Sequence, residues 1–292
     1  MTTIALIGPG AIGGTIAAWL GEAPGNEVTL CARTPFEKLV VEVPGGRTIE
    51  RAVRVLTDPN AASPVDWIIA VTKTYDTESA ARWIARLLGE ATRVAVVQNG
   101  VEHMDRFATL VPRERTLPVI VDIPAERAAP GKIRQRRHGT LTVPRGEMGD
   151  AFAALFGGTP MSVVETDDFL TAAWKKLVVN SAGIVNALTK KPAGVVHNTA
   201  AARLMRAIAE ETIAVGRAAG AKLDDALADE ILDRFRASPR DSVNSLLADR
   251  LAGRPMELDA RNGVIVRLGR KYGIATPRNE MAIAILKAAR DD

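Results

Sequence analysis

Ile4-Ala5-Leu6-Ile7-Gly8-Pro9-Gly10-Ala11-Ile12-Gly13-Gly14 joins a short apolar strand to a glycine-rich turn and then to an apolar helix running through Trp19 and Leu20. That order meets what a dinucleotide pyrophosphate requires of a backbone. Gly8 allows the tight turn out of the strand, Gly10 keeps side-chain atoms away from the anion, and Gly13 lets the helix lie close to the strand. Pro9, Ala11 and Ile12 fill the spacer positions, and the helix N-terminus presents unpaired N–H groups and a positive dipole end to the phosphates. Gly8, Pro9, Gly10, Ala11, Ile12 and Gly13 are therefore the expected cofactor cradle. A glycine-rich turn without a ligand is the bland alternative, and the strand before it and the helix after it argue against that.

Working outward, the first half alternates apolar runs with amphipathic stretches. Strands are expected at Glu27 to Cys31, Trp67 to Thr72, Arg93 to Gln98, Leu117 to Val121, and as a pair at Lys132 to Gln135 and Thr140 to Val143. Helices are expected at Gly13 to Leu20, Thr77 to Leu88 and Met104 to Leu110. This alternation predicts an open, mostly parallel sheet with helices on both faces, a doubly wound Rossmann-type α/β domain. From about Asp167 the apolar spacing becomes helical, through Phe169 to Leu188, Arg203 to Ala218, Ala226 to Phe235, Val243 to Leu251, Met256 to Tyr272 and Asn279 to Ala288. The expectation is two domains, 1–165 nucleotide-binding and 166–292 all-α.

Composition narrows the function classes. Hydrophobic residues are 47% and charged residues 25% of the 292, the pattern of a globular chain with no run long enough for a membrane span. Met-Thr-Thr leads directly into the first strand, so no targeting peptide is expected. Cys31 is the single cysteine and the three histidines are scattered, which argues against disulfides and a metal site and fits a cytoplasmic protein. The net charge of +4 is dispersed and aromatics are 4%, which suits an anionic cofactor and substrate better than nucleic acid.

The second strand, Glu27 to Cys31, ends without the acidic residue that holds the ribose hydroxyls in NAD sites. Arg33 follows it instead, a flat permanent cation suited to a 2′-phosphate, so NADPH is the expected cofactor. A solvated loop arginine is the alternative. Lys73, after Val71-Thr72, and Asn99-Gly100, after Gln98, follow other strands at the carboxyl ends where open sheets place ligands. In the helical half, Lys176 and Asn180 lie one turn apart on one face. A ketone accepting hydride gains negative charge on oxygen, which a lysine can protonate while an amide fixes the substrate. Ser245-x-x-x-Asp249 and Glu257-Leu258-Asp259-Ala260-Arg261-Asn262-Gly263 follow.

Together these motifs resemble the ketopantoate reductases, also called 2-dehydropantoate 2-reductases, over essentially the full length. The resemblance rests on the glycine turn with Arg33, Lys73, Asn99-Gly100, the Lys-Leu-x-x-Asn helix, Ser-x-x-x-Asp, Glu257 ahead of Asn262-Gly263, and Tyr272-Gly273-Ile274-Ala275-Thr276-Pro277. It implies NADPH-dependent reduction of a 2-oxo acid, 2-dehydropantoate to pantoate, in pantothenate biosynthesis, by a monomer or homodimer. By the same resemblance Lys176 is the general acid, and Glu257 anchors the substrate's hydroxyl end and orients Lys176. Asn99, Asn180 and Ser245 hold the substrate, Gly8, Gly10, Gly13, Arg33 and Lys73 hold NADPH, and Asn99 also borders the cofactor. Two positions depart from the family pattern: Ile184 and Ala193 stand where asparagines are common. Asn186 would need a two-residue insertion or a local helix irregularity to take the place of the first, and a different 2-oxo acid would be compatible with both changes. β-Hydroxyacid dehydrogenases share the Lys-x-x-x-Asn pair but lack the later series, and a non-catalytic NADP(H) sensor would have no use for Lys176 and Glu257.

Overall fold

The computed structural model describes residues 1–289. It divides into two compact units. One holds Met1–Gln98 and Glu102–Phe169; the other holds Asn99–Val101 and the chain from Leu170 onward.

The first unit is built on six parallel strands. Their spatial order is Arg54–Leu56, Asn26–Cys31, Thr2–Ile7, Trp67–Ala70, Arg93–Val96, Thr116–Pro118. In chain order this reads 3-2-1-4-5-6, the Rossmann arrangement, with the reversal at the first strand. The central strands Thr2–Ile7, Trp67–Ala70 and Arg93–Val96 end in continuous apolar runs because both faces are covered. Ile4, Leu6, Trp67, Ile69 and Ala95 point to one core, whereas Ala5, Ile7, Ile68, Ala70, Val94 and Val96 point to the other. The helix Thr77–Leu87 closes the second face with Ala80, Trp83, Ile84 and Leu87, beside Phe107 of the short helix His103–Phe107.

The helix Ala11–Glu22 packs on the first face and is buried continuously from Gly13 to Leu20. A second sheet covers its outer side, with strands ordered Ala125–Ala129, Lys132–Gln135, Lys38–Glu42, Thr48–Ala52. Contact there is close: a Cβ on Gly14 would lie 2.0 Å from Ile133 Cδ1. Trp19 Nε1 donates to Gln135 Oε1 at 2.9 Å, which satisfies a buried indole. A helix sandwiched between two sheets has no polar face to show, which explains why its sequence is apolar all round.

Three expectations change here. Lys132–Gln135 and Thr140–Pro144 do not pair with each other. The former lies parallel to Lys38–Glu42, and the latter lies between Ile120–Asp122 and Ser162–Thr166 in a third sheet. The strand expected at Leu117 to Val121 breaks at Val119, ending the six-stranded sheet and starting the third. The helix expected from Phe169 to Leu188 is two, Phe169–Ala182 and Ile184–Thr189, parted at Gly183.

The second unit is helical. Its longest helix, Thr199–Ala218, packs against Trp174 at Gly216, where a Cβ would approach the indole to 2.9 Å. Buried Glu211 accepts the backbone N–H groups of Arg278 and Asn279, each at 3.0 Å, at the start of helix Pro277–Ala288. A carboxylate at that end satisfies orphan donors and complements the helix dipole. Asn279 Nδ2 donates to Glu211 Oε2, and Asn262 Nδ2 donates to Asn279 Oδ1 at 2.8 Å, so the Asn-Gly motif is a structural brace.

Candidate active site

The glycine turn has one backbone reason for each glycine. Gly8 has φ +89°, and a Cβ there would meet Thr72 at 3.1 Å. A Cβ on Gly13 would lie 2.3 Å from the Gly8 carbonyl oxygen. Gly10 differs, because a Cβ there would find no atom within 4 Å. The space ahead of the helix is open, and its first turn carries neither a side-chain cap nor an acidic residue. With no capping side chain and no acid of its own, this helix end offers N–H donors that a pyrophosphate would fit, through Gly10, Ala11 and Ile12 with Pro9 completing the turn.

Arg33 follows strand Asn26–Cys31 and its side chain is 83% exposed, with Nη2 3.7 Å from Asp76 Oδ2. An exposed pair at that distance is worth little, so the guanidinium remains usable by a stronger anion. Asp76 belongs to the short turn Thr74–Asp76, and half-buried Lys73 immediately precedes it. Arg33 and Lys73 therefore follow the two strands that flank Thr2–Ile7.

The other candidates belong to the second unit. Lys176 and Asn180 sit half-buried on helix Phe169–Ala182, while Leu177, Val178 and Ser181 of the same helix face the core. Glu257 is buried, and its Oε2 accepts from Asn99 Nδ2 at 3.0 Å. Asn99 is thus placed with the helical unit although it follows a strand of the sheet in sequence. Ser245 is exposed at the start of helix Ser245–Leu251. Just before it, Asn244 Oδ1 accepts from Leu247 N, and its Nδ2 donates to the Gly183 carbonyl at 2.9 Å and to Asn186 Oδ1 at 3.2 Å. Asn244 therefore holds the break between the two helices.

That break is the irregularity Asn186 required, but Asn186 is spent inside it. It is buried and donates to the Lys191 carbonyl while accepting from Asn244. Ile184 and Ala193 are also buried, with Ile184 in the helical unit's apolar core.

Sequence reasoning passed over Arg261. The segment Met256 to Tyr272, expected as one helix, opens with a π-helical turn at Asp259–Gly263 before the α-helix Val264–Tyr272. Such turns frequently occur at functional sites. Arg261 lies within it at 2% exposure, with Nη1 3.4 Å from Ser245 Oγ and Nη2 donating to the Asn180 carbonyl. Burial pushes its pKa down to about 10, opposed by the fields of Glu257 and Asp249, so it stays charged at neutral pH. One signal was readable: Arg261 interrupts the helical stripe of Leu258, Ile265 and Leu268 with a charge.

Among the described residues no helix is long and apolar enough to cross a membrane. The family model for ketopantoate reductase PanE/ApbA matches residues 4–147, and that for its C-terminal part matches residues 168–290. The chain is 55% identical to a 2-dehydropantoate 2-reductase of Caulobacter vibrioides, covering 99% of each chain. It is 40% identical to one of Mycobacterium tuberculosis, covering 99% of this chain and 98% of that one. Among solved structures, a 2-dehydropantoate 2-reductase from Geobacter metallireducens superposes with a TM-score of 0.91 at 28% identity, covering 98% and 99% of the two chains. With both family models matched in order and these relatives aligned end to end, the chain belongs to the ketopantoate reductase family.

Proposed function

We propose that this protein reduces the ketone of 2-dehydropantoate to pantoate with NADPH, as a cytoplasmic monomer or homodimer supplying pantothenate biosynthesis. The observation that carries the reading is that Lys176, Asn180, Ser245, Glu257 and Asn99 all belong to one unit, with Asn99 bonded to Glu257, in a chain that belongs to this family. Bound NADPH would supply the hydride to the ketone carbon. The glycine turn and helix N-terminus would hold its pyrophosphate, with Arg33 and Lys73 at its 2′-phosphate. Lys176 gives its proton to the ketone oxygen as charge develops there. Asn180 and Ser245 orient the substrate. Glu257, oriented by the Asn99 carboxamide at its Oε2, anchors the substrate's hydroxyl end and orients Lys176. Asn99 would also contribute to holding the cofactor.

The deciding experiment is an NADPH-oxidation assay over a panel of 2-oxo acids, with 2-dehydropantoate first. The highest kcat/KM belongs to 2-dehydropantoate. No NADPH oxidation with any member would overturn the reading.

A further inference from the structure

Ser245 is the exposed hydroxyl of the candidate site, and what lies beneath it is a buried cation. Arg261 reaches it with Nη1 at 3.4 Å and holds the Asn180 carbonyl with Nη2, so one guanidinium touches two of the residues proposed to hold the substrate. The chemistry of that contact has a direction. A guanidinium has only donors, whereas a hydroxyl has one donor and two acceptor lone pairs. Against Arg261, Ser245 must accept, and its own proton must point elsewhere. Asn180 is constrained too: its carbonyl lies in the last turn of helix Phe169–Ala182, among the acceptors that a helix end leaves unpaired. Rotation of that turn would carry the Asn180 side chain with it.

We propose that Arg261 is a positioning residue that fixes the polarity of Ser245, making its hydroxyl a hydrogen-bond donor toward the carboxylate of the 2-oxo acid. The inference rests on the functional reading above. A carboxylate only accepts, and hydrogen bonds to an ionised acceptor are roughly twice as strong as those between neutral groups. A site whose hydroxyl is fixed as a donor favours an acid over its neutral analogue. Residues that either donate or accept at 261 would release Ser245 to take both roles and lose that preference. The π-helical turn is what brings Arg261 to this place.

The test compares the best 2-oxo acid with its neutral primary amide at saturating NADPH. It reads the ratio of kcat/KM for acid over amide in the parent protein, Arg261→Met, Arg261→Gln, Arg261→Lys, Ser245→Ala, and Ser245→Ala combined with Arg261→Gln. The parent prefers the acid, and Arg261→Met and Arg261→Gln lower the ratio by about tenfold to a hundredfold, the range expected for one hydrogen bond to a charged group. Arg261→Lys, which keeps a donor-only cation, recovers part of it. Adding Arg261→Gln to Ser245→Ala leaves the ratio unchanged within about twofold, since coupled residues are non-additive. Thermal midpoints and NADPH titrations identify the variants that fold, and Arg261→Lys with Arg261→Gln suffices if Arg261→Met does not. A parallel fall for acid and amide, or an equal change of ratio with Ser245 absent, overturns the inference while the reductase reading stands. Failure of the parent protein to reduce any 2-oxo acid overturns both.

Discussion

Asn99 and Glu257 are 158 residues apart in the chain, yet the Asn99 carboxamide donates to Glu257 Oε2 at 3.0 Å. The bond fixes which way the carboxylate faces. Asn99→Ala should raise the substrate KM, because the carboxylate loses the donor that orients it. Glu257→Ala should raise KM and slow turnover together, since the residue is assigned to ground and transition states alike. Initial-rate kinetics over a range of substrate concentrations would check both, and an unchanged KM in Asn99→Ala would separate this bond from substrate binding.

Lys176 is asked to act where charge builds on oxygen. Lys176→Ala should reduce kcat by about 10²–10⁴-fold, the usual contribution of a general acid, with NADPH affinity nearly unchanged. Single-turnover kinetics and a fluorescence titration of NADPH separate the two quantities. Near-normal turnover would assign the proton donor elsewhere, and collapsed NADPH binding would make Lys176 a cofactor ligand.

Arg33 is exposed and weakly paired with Asp76, so its removal should leave the fold intact. Arg33→Ala should raise the NADPH KM by about tenfold or more, as expected for a charged hydrogen bond of roughly 1.5–3 kcal/mol, and leave the NADH KM unchanged. Asp76→Asn, which releases Arg33, should bind NADPH at least as well as the parent protein. Equal use of both cofactors by the parent would exclude a 2′-phosphate role for Arg33.

Two glycines of the same turn should fail differently. At Gly10 the backbone is ordinary and an added Cβ enters open space, so Gly10→Ala should keep its thermal midpoint and lose NADPH affinity. At Gly13 the Cβ would press on the Gly8 carbonyl oxygen, so Gly13→Ala should lower the midpoint itself. Calorimetry and NADPH titration of the pair distinguish the cradle from the packing contact.

Burial pushes the Cys31 thiol up from 9.0 to about 12. Between these values the unfolded chain ionises and the folded one does not, so the unfolded state binds fewer protons and stability falls as pH rises. Denaturation midpoints measured from pH 8.5 to 11 should fall less steeply in Cys31→Ala. A thiol reagent at pH 8 should label Cys31 only after unfolding.

Local rules were enough where a residue's job involves its chain neighbours. The glycine turn, the alternating apolar strands and the Lys176–Asn180 pair were legible because strand pleat, helical turn and phosphate cradle each act over a few residues. The strands Lys38–Glu42 and Thr48–Ala52 were missed. The first is completed by pairing with Lys132–Gln135, a segment far along the chain, and their core residues Leu39, Val41 and Ile49 carry no helix-or-strand signal as strong as the central sheet's.

The sequence by itself determined the strand–glycine turn–helix opening, the Rossmann fold class and the family, because these are written in short ordered motifs. Only the tertiary structure decided that Asn186, Ile184 and Ala193 are interior, that Asn99 joins Glu257, and that Arg261 lies buried beneath Ser245. The physical reason is that a side chain's role depends on what surrounds it. An asparagine or arginine spells the same letters in solvent or in a core, and burial and partners are set by segments that meet only when the chain has folded.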